Sequence, residues 1–98
     1  MMNDLRFIWD PQKAVSNKSK HGVAFSEAET VFFDENAIEY PDPDHSEEED
    51  HFIILGLSGG LRVLVVCYCY RHTVSTIRII SARKATQKET RLYGEQRR

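Results

Sequence analysis

The chain has 98 residues, of which 41% are apolar and 29% charged, with a formal net charge of −2. That supports one modest hydrophobic core without disulfides or metal and is the composition of a globular chain, not a disordered one, and no stretch approaches the roughly 18 uninterrupted apolar residues of a membrane helix. Residues 34–50 hold nine acidic side chains and no Lys or Arg, whereas residues 78–98 hold seven basic against two acidic, so the mild overall charge does not exclude a nucleic-acid partner. The first residues lack the apolar stretch and small-residue cleavage site of a signal peptide, which points to the cytoplasm. No repeat or low-complexity linker divides the chain, so residues 1–98 read as a single domain.

In chain order, residues 6–9 read as a short strand. Asp10-Pro11 then supplies an N-cap followed by proline at the first helical position. A polar helix follows over about 11–21, and Gly22 stops it. Ser26 and Glu29 have capping-box spacing for a second helix with Ala28, Val31 and Phe32 on its core face. The Asp34-Glu35-Asn36 cluster ends it. Residues 37–40 read as a strand, and Pro41-Asp42-Pro43-Asp44 as an acidic loop. Three strands follow at 51–57, 61–70 and about 75–82, the first two joined by Ser58-Gly59-Gly60. Val63 to Val66 are apolar on both faces and belong in the sheet centre. Thr86 and Glu89 form another capping box, for a C-terminal helix anchored by Leu92 and Tyr93. The pattern predicts an α+β fold: an antiparallel sheet of about four to five strands, two N-terminal helices and one C-terminal helix.

Two segments carry chemistry. Asn17 and His21, four residues apart, share a helix face, with Lys20 beside His21 at the carboxyl end, where cations are favoured. This His either caps the helix or serves phosphate chemistry as acid or charge clamp. The second segment is residues 77–85. Arg78 lies inside an apolar strand, where it must pair with a carboxylate such as Glu49 or Asp50, or line a groove. Arg83 and Lys84 follow beside the last helix, whose N-terminal N–H groups also attract phosphate. Strict alternation sends Arg78 and Arg83 to opposite faces, so they serve one phosphate only if the chain turns after Ser81. Cys67 and Cys69 sit on one face of one strand, a poor geometry for a disulfide; reduced core thiols are expected, against a weaker reading as a metal site with His72. His45, His51 and His72 read as loop or strand-end residues. The acidic loop lacks the glycine and spacing of an EF-hand.

These residues, in order and spacing, resemble the BrnT toxins over about residues 7–93. The likeness rests on Trp9-Asp10-Pro11 with Lys13 and Asn17, Lys20-His21-Gly22-Val23, Phe25, Ala28, Val31-Phe32, Asp44-His45-Ser46, Gly56, Arg78-Ile79-Ile80-Ser81-Ala82-Arg83-Lys84-Ala85, Glu89 and Tyr93. It implies a fold similar to RelE-type ribonuclease toxins, metal-independent endoribonuclease activity, and growth arrest. It also implies a BrnA-like antitoxin with a ribbon-helix-helix domain, a toxin–antitoxin hetero-oligomer, and operator DNA bound only through the antitoxin. No membrane contact, metal or cofactor is expected. His51 is a departure: the family pattern has Arg near this place, where His would bind phosphate weakly and pH-dependently if that Arg has such a role. The expected chemistry is attack by the ribose 2′-hydroxyl on its own phosphate. Arg78 and Arg83 hold that phosphate, His21 is the acid–base group and Lys20 grips the adjacent phosphate. Lys84, Arg62 and Arg71 add contacts, and Tyr93 or Tyr68 stacks on a base. Other readings are a non-catalytic co-repressor module that only binds an antitoxin, and a plain RNA-binding domain.

Overall fold

The computed structural model describes residues 4–44 and 50–96; His45 and the acidic residues 47–49 lie outside them. Strand β1 (Arg6–Ile8) leads into helix α1 (Pro11–His21) and the short helix α2 (Phe25–Ala28), which continues as a 3-10 turn over Glu29–Phe33. Strands β2 (Ile38–Pro41), β3 (Phe52–Leu57), β4 (Val63–Arg71) and β5 (Thr73–Lys84) follow, and helix α3 (Gln87–Gln96) closes the described chain. The five strands form one sheet in the order β1-β5-β4-β3-β2. All neighbours are antiparallel except β1, which runs parallel to β5. The doubly apolar β4 is central, as predicted.

Local chemistry sets the ends of α1. Asp10 caps it by accepting the Gln12 N–H at 2.9 Å. Gly22, at φ 72°, ends it and donates to the Lys18 carbonyl, a left-handed conformation that costs glycine little. The expected capping box at Ser26 does not form. The helix starts two residues earlier, from Ala24 without a side-chain cap, because burial of Phe25 and Ala28 fixes the segment from the core. The Thr86–Glu89 box does form: Glu89 N–H donates to Thr86 Oγ1 at 3.1 Å, and Thr86 N–H to Glu89 Oε1 at 2.8 Å.

One sheet face packs Leu64, Val66, Tyr68, Ile77, Ile79 and Ala82 against Val23, Phe25, Ala28 and Val31. Opposite it, Leu55, Val65 and Tyr93 make a smaller core under α3. Asp34 covers the edge of β3 beyond the β2 pairing, accepting from Leu57 N–H at 2.8 Å and Tyr93 Oη at 2.6 Å. A Cβ on Gly56 would lie 2.9 Å from Val31 Cγ1 and 3.0 Å from Ala37 Cβ. Gly56→Ala is therefore expected to cost about 1–3 kcal/mol by overpacking, read as a lower chemical-denaturation midpoint; an unchanged midpoint would contradict this packing.

Candidate active site

The most consequential feature of β5 is a β-bulge. Cys69 pairs with Arg78 and Tyr68 with Ile79, but Cys67 pairs with Ser81 and Val65 with Arg83. Ile80 is the extra residue. Paired residues of neighbouring strands share a face, so Arg78, Ser81 and Arg83 emerge with Val65, Cys67 and Cys69, away from the α1–α2 layer. The expectation that alternation separates Arg78 from Arg83 is thus corrected: the extra residue reverses the alternation. Their Cα atoms remain about 15 Å apart along the strand at ~3.3 Å per residue. They suit different phosphates of one RNA strand, not a single phosphate.

Helix α1 positions His21. Its only buried residue is Asn17, whose amide donates to the carbonyls of Val23 and Ala82, both at 2.9 Å, and accepts the Ala82 N–H at 3.0 Å. Asn17 thereby completes the β5 edge beyond its pairing with β1. One turn on, His21 lies on the same helix face. It lines a cavity of about 200 Å³ with Asp42, Cys67, Ser81 and Arg83. His21 and Ser81 also line an adjoining cavity of about 170 Å³, whose other charged residues are Lys13 and Lys20. Among the described residues, the side chains of Lys13, Lys20, His21, Arg78 and Ser81 make no hydrogen bond or ion pair. Of the two carboxylates the sequence suggested for Arg78, Glu49 lies outside the described residues.

Arg83 is oriented but not consumed. Its Nη1 and Nη2 each donate to one carboxylate oxygen of Glu89 at 2.9 Å, and Nη1 also reaches the Lys84 carbonyl. The edge formed by Nε–H and the second Nη2–H keeps two donors for an anion. The start of α3 is not a phosphate site, because the Glu89 carboxylate already occupies it. Hydrogen bonding from Arg83, with help from Thr86, outweighs burial and holds the Glu89 carboxyl down at about 2. A carboxyl lowered on folding contributes stability that is complete above its ordinary value near 4.5 and is lost as the pH falls through about 2. Glu89→Gln is therefore expected to flatten the acid-side fall in melting temperature between about pH 5 and pH 2. An unchanged acid profile would show that the pair contributes nothing there.

Several other expected contacts are corrected. Arg62 uses its Nε and Nη2 on Glu27 and donates again to the Gly22 carbonyl; together with Ser58 it ties the β3–β4 loop to α2. It is a structural cation. Arg71 stands at the opposite end of β4, opposite Thr73 and six residues beyond Val65, the partner of Arg83, about 20 Å away at ~3.3 Å per residue. Lys84 is exposed and pairs with Leu64, so it leaves β5 on the face opposite Arg83. Neither aromatic can stack on a base. Tyr93 is 3% and Tyr68 1% exposed, with hydroxyls bonded to Asp34 and Glu39. His72 turns the β4–β5 hairpin at φ 67°.

Sequence reasoning did not bring Tyr40, Asp42, Cys67 or Ser81 to this site. The half-buried Tyr40 lies in the field of Glu89 and Arg83; burial, then Glu89, raises its phenol and keeps it protonated. Burial, followed by Asp42, pushes the Cys67 thiol up to about 12, so it is neither a nucleophile nor a proton-transfer group. Period-two spacing of Tyr40 with Asp42 and of Val65 with Cys67 signals a shared face, but only the register joins those faces.

Residues 9–89 match the family model of the ribonuclease toxin BrnT of type II toxin–antitoxin systems. The crystal structure of the Brucella abortus ribonuclease toxin BrnT is similar, with a TM-score of 0.65 and 26% identity over 85% of this chain and 99% of that one. No curated protein sequence matches the chain. Among the described residues, no helix is long and apolar enough to cross a membrane.

Proposed function

The chain belongs to the BrnT family of ribonuclease toxins of type II toxin–antitoxin systems, and on that premise we propose that it cuts RNA by a metal-independent transesterification at the two cavities joined by His21. The observation that carries this reading is the placement of His21. It stands on the wall shared by a cavity containing Arg83 and a cavity whose charged lining is wholly basic. RNA would run across that wall, one phosphate on Lys13 and Lys20 and the reacting phosphate between His21 and Arg83. The ribose 2′-oxygen attacks the adjacent phosphorus, the 5′-oxygen leaves, and the product ends are a 2′,3′-cyclic phosphate and a 5′-hydroxyl. The RNA supplies the nucleophile, so DNA is not cut. His21 moves the proton, and the open edge of Arg83 meets the charge gathered on the phosphoryl oxygens. Arg78 holds a neighbouring phosphate further along β5.

In this reading the partner is a ribbon-helix-helix antitoxin of the BrnA kind, which neutralises the toxin in a hetero-oligomer and carries it to operator DNA in the cytoplasm. The acidic stretch at residues 34–50 suits a basic arm of such a partner.

The test is His21→Ala, a substitution at a half-buried position that leaves the Asn17 anchor intact. RNA cleavage is expected to fall about 100-fold or more, with melting temperature and antitoxin binding retained, and parental cleavage is expected to persist in EDTA. Full activity of His21→Ala would remove His21 from the reaction. Loss of parental cleavage in EDTA would make it metal-dependent. A parental protein that binds antitoxin yet cuts no RNA would instead support the co-repressor module.

A further inference from the structure

The acidic loop and the cysteines, unrelated in sequence, meet on the open sheet face. Asp42 follows β2 and His51 precedes β3, and the Asp42 N–H donates to the His51 carbonyl at 2.9 Å. Cys67 pairs with Ile53, which shares the face of His51 two residues earlier. One ligand atom from each of Asp42, His51 and Cys67 lies within 4.8 Å of the others, and all three residues are half-buried. Cys67 Sγ donates to Asp42 Oδ2 at 3.4 Å, so two of the donor groups already point at one another across a single proton.

A carboxylate, an imidazole and a thiol from three different chain segments are what an ion with tetrahedral preference needs. The sulfur and nitrogen donors select against magnesium and calcium, which take oxygen ligands. Three protein ligands with one position open is the arrangement of accessible zinc sites, whereas closed structural sites use four. We propose that Asp42, His51 and Cys67 form a three-ligand site for one thiophilic divalent cation of the zinc class.

Binding replaces the shared proton. The thiol proton leaves to solvent, the thiolate and the Asp42 carboxylate each donate an electron pair to the ion, and neutral His51 supplies the third. The trio then passes from one net negative charge to none. Asp42 and Cys67 line the same cavity as His21 and Arg83, so an ion held by them would border that cavity. The ion is a ligand of the cavity wall, not a reactant in the transesterification, and its binding can be read without RNA.

The experiment titrates Co²⁺ into the full-length, metal-stripped protein under reducing conditions and follows thiolate-to-cobalt charge-transfer absorption. The expected result is saturation at about one equivalent with displacement by Zn²⁺. The band disappears in Cys67→Ala, weakens about 100-fold in apparent affinity in His51→Ala, and persists in Cys69→Ala. Circular dichroism establishes that each variant is folded. No thiolate–cobalt band in the folded parent overturns the site, and so does a band that survives in Cys67→Ala. Failure of RNA cleavage, by contrast, leaves this measurement untouched and sinks only the ribonuclease reading.

Discussion

Arg83→Ala is expected to lower the rate of RNA cleavage about 10²–10³-fold, the usual cost of deleting one preorganised donor to a transition-state oxyanion. The effect should fall on kcat more than on RNA affinity, because Lys13, Lys20 and Arg78 remain to bind the backbone. Arg83→Lys keeps the charge but not the two-donor edge, and should recover only part of the rate. Glu89→Gln tests a positioning role. The guanidinium stays in place but loses its charge-assisted clamp, so a loss smaller than that of Arg83→Ala is expected. Folding stability should change little on loss of Arg83, since the pair is partly exposed, with 42% of the Arg83 side chain accessible, and such pairs contribute about 1 kcal/mol or less. Steady-state cleavage of a short RNA, with melting curves on the same samples, checks all three variants. Full activity in Arg83→Ala would mean that its Glu89 pair is its whole purpose, as the Glu27 pair is for Arg62.

That contrast shows where sequence reasoning stops. Arg62 and Arg83 look alike in the sequence: each is a basic residue at a strand end. They differ in which edge of the guanidinium meets the carboxylate. Arg62 gives its Nε–Nη2 edge to Glu27 and Arg83 its two terminal nitrogens to Glu89. No periodicity or spacing encodes this choice; it follows from the direction in which each carboxylate approaches.

Elements bounded by local chemistry were legible. Asp10-Pro11, Gly22 and the Thr86–Glu89 box act within a few residues, and the structure has all of them. Ser26 and Glu29 have the same spacing as Thr86 and Glu89 but do not cap, because burial of Phe25 decides where that helix begins. The bulge at Ile80 has no glycine or proline to announce it. Its trace is subtler: the buried positions run Ile77, Ile79, Ala82, a step of two and then of three. Strict alternation cannot produce that step, but the pattern is visible only once the buried face is known. The parallel β1 was equally silent, since three residues carry no signal of direction. His21 and Arg83 were reachable as candidates because each ends an element. Their meeting depends on the register of α1 against β5.

That register rests on one side chain, which gives the second large prediction. Asn17→Leu is expected to destabilise the fold by about 3 kcal/mol or more, because it leaves the Ala82 N–H and the Val23 and Ala82 carbonyls without partners, at about 1–3 kcal/mol for each buried group. In a domain of this size that corresponds to a fall in melting temperature of roughly 12–24 °C. A leucine cannot compensate by packing, since it would press its apolar branch onto three backbone polar groups. Asn17→Asp should be no better: it keeps the acceptor for Ala82 N–H but sets a carboxylate against two carbonyl oxygens. Helix α1 is otherwise polar, with Val15 72% exposed and the small Ala14 side chain packed on the core, so the Asn17 bonds are its main polar tie to the sheet and the His21 turn moves with them. Cleavage measured well below the melting point should therefore also fall, whereas Arg62→Ala should reduce stability and leave the rate of the folded protein unchanged. An Asn17→Leu variant that melts like the parent would show that α1 is held by contacts other than this amide, and that Asn17 is not what places His21.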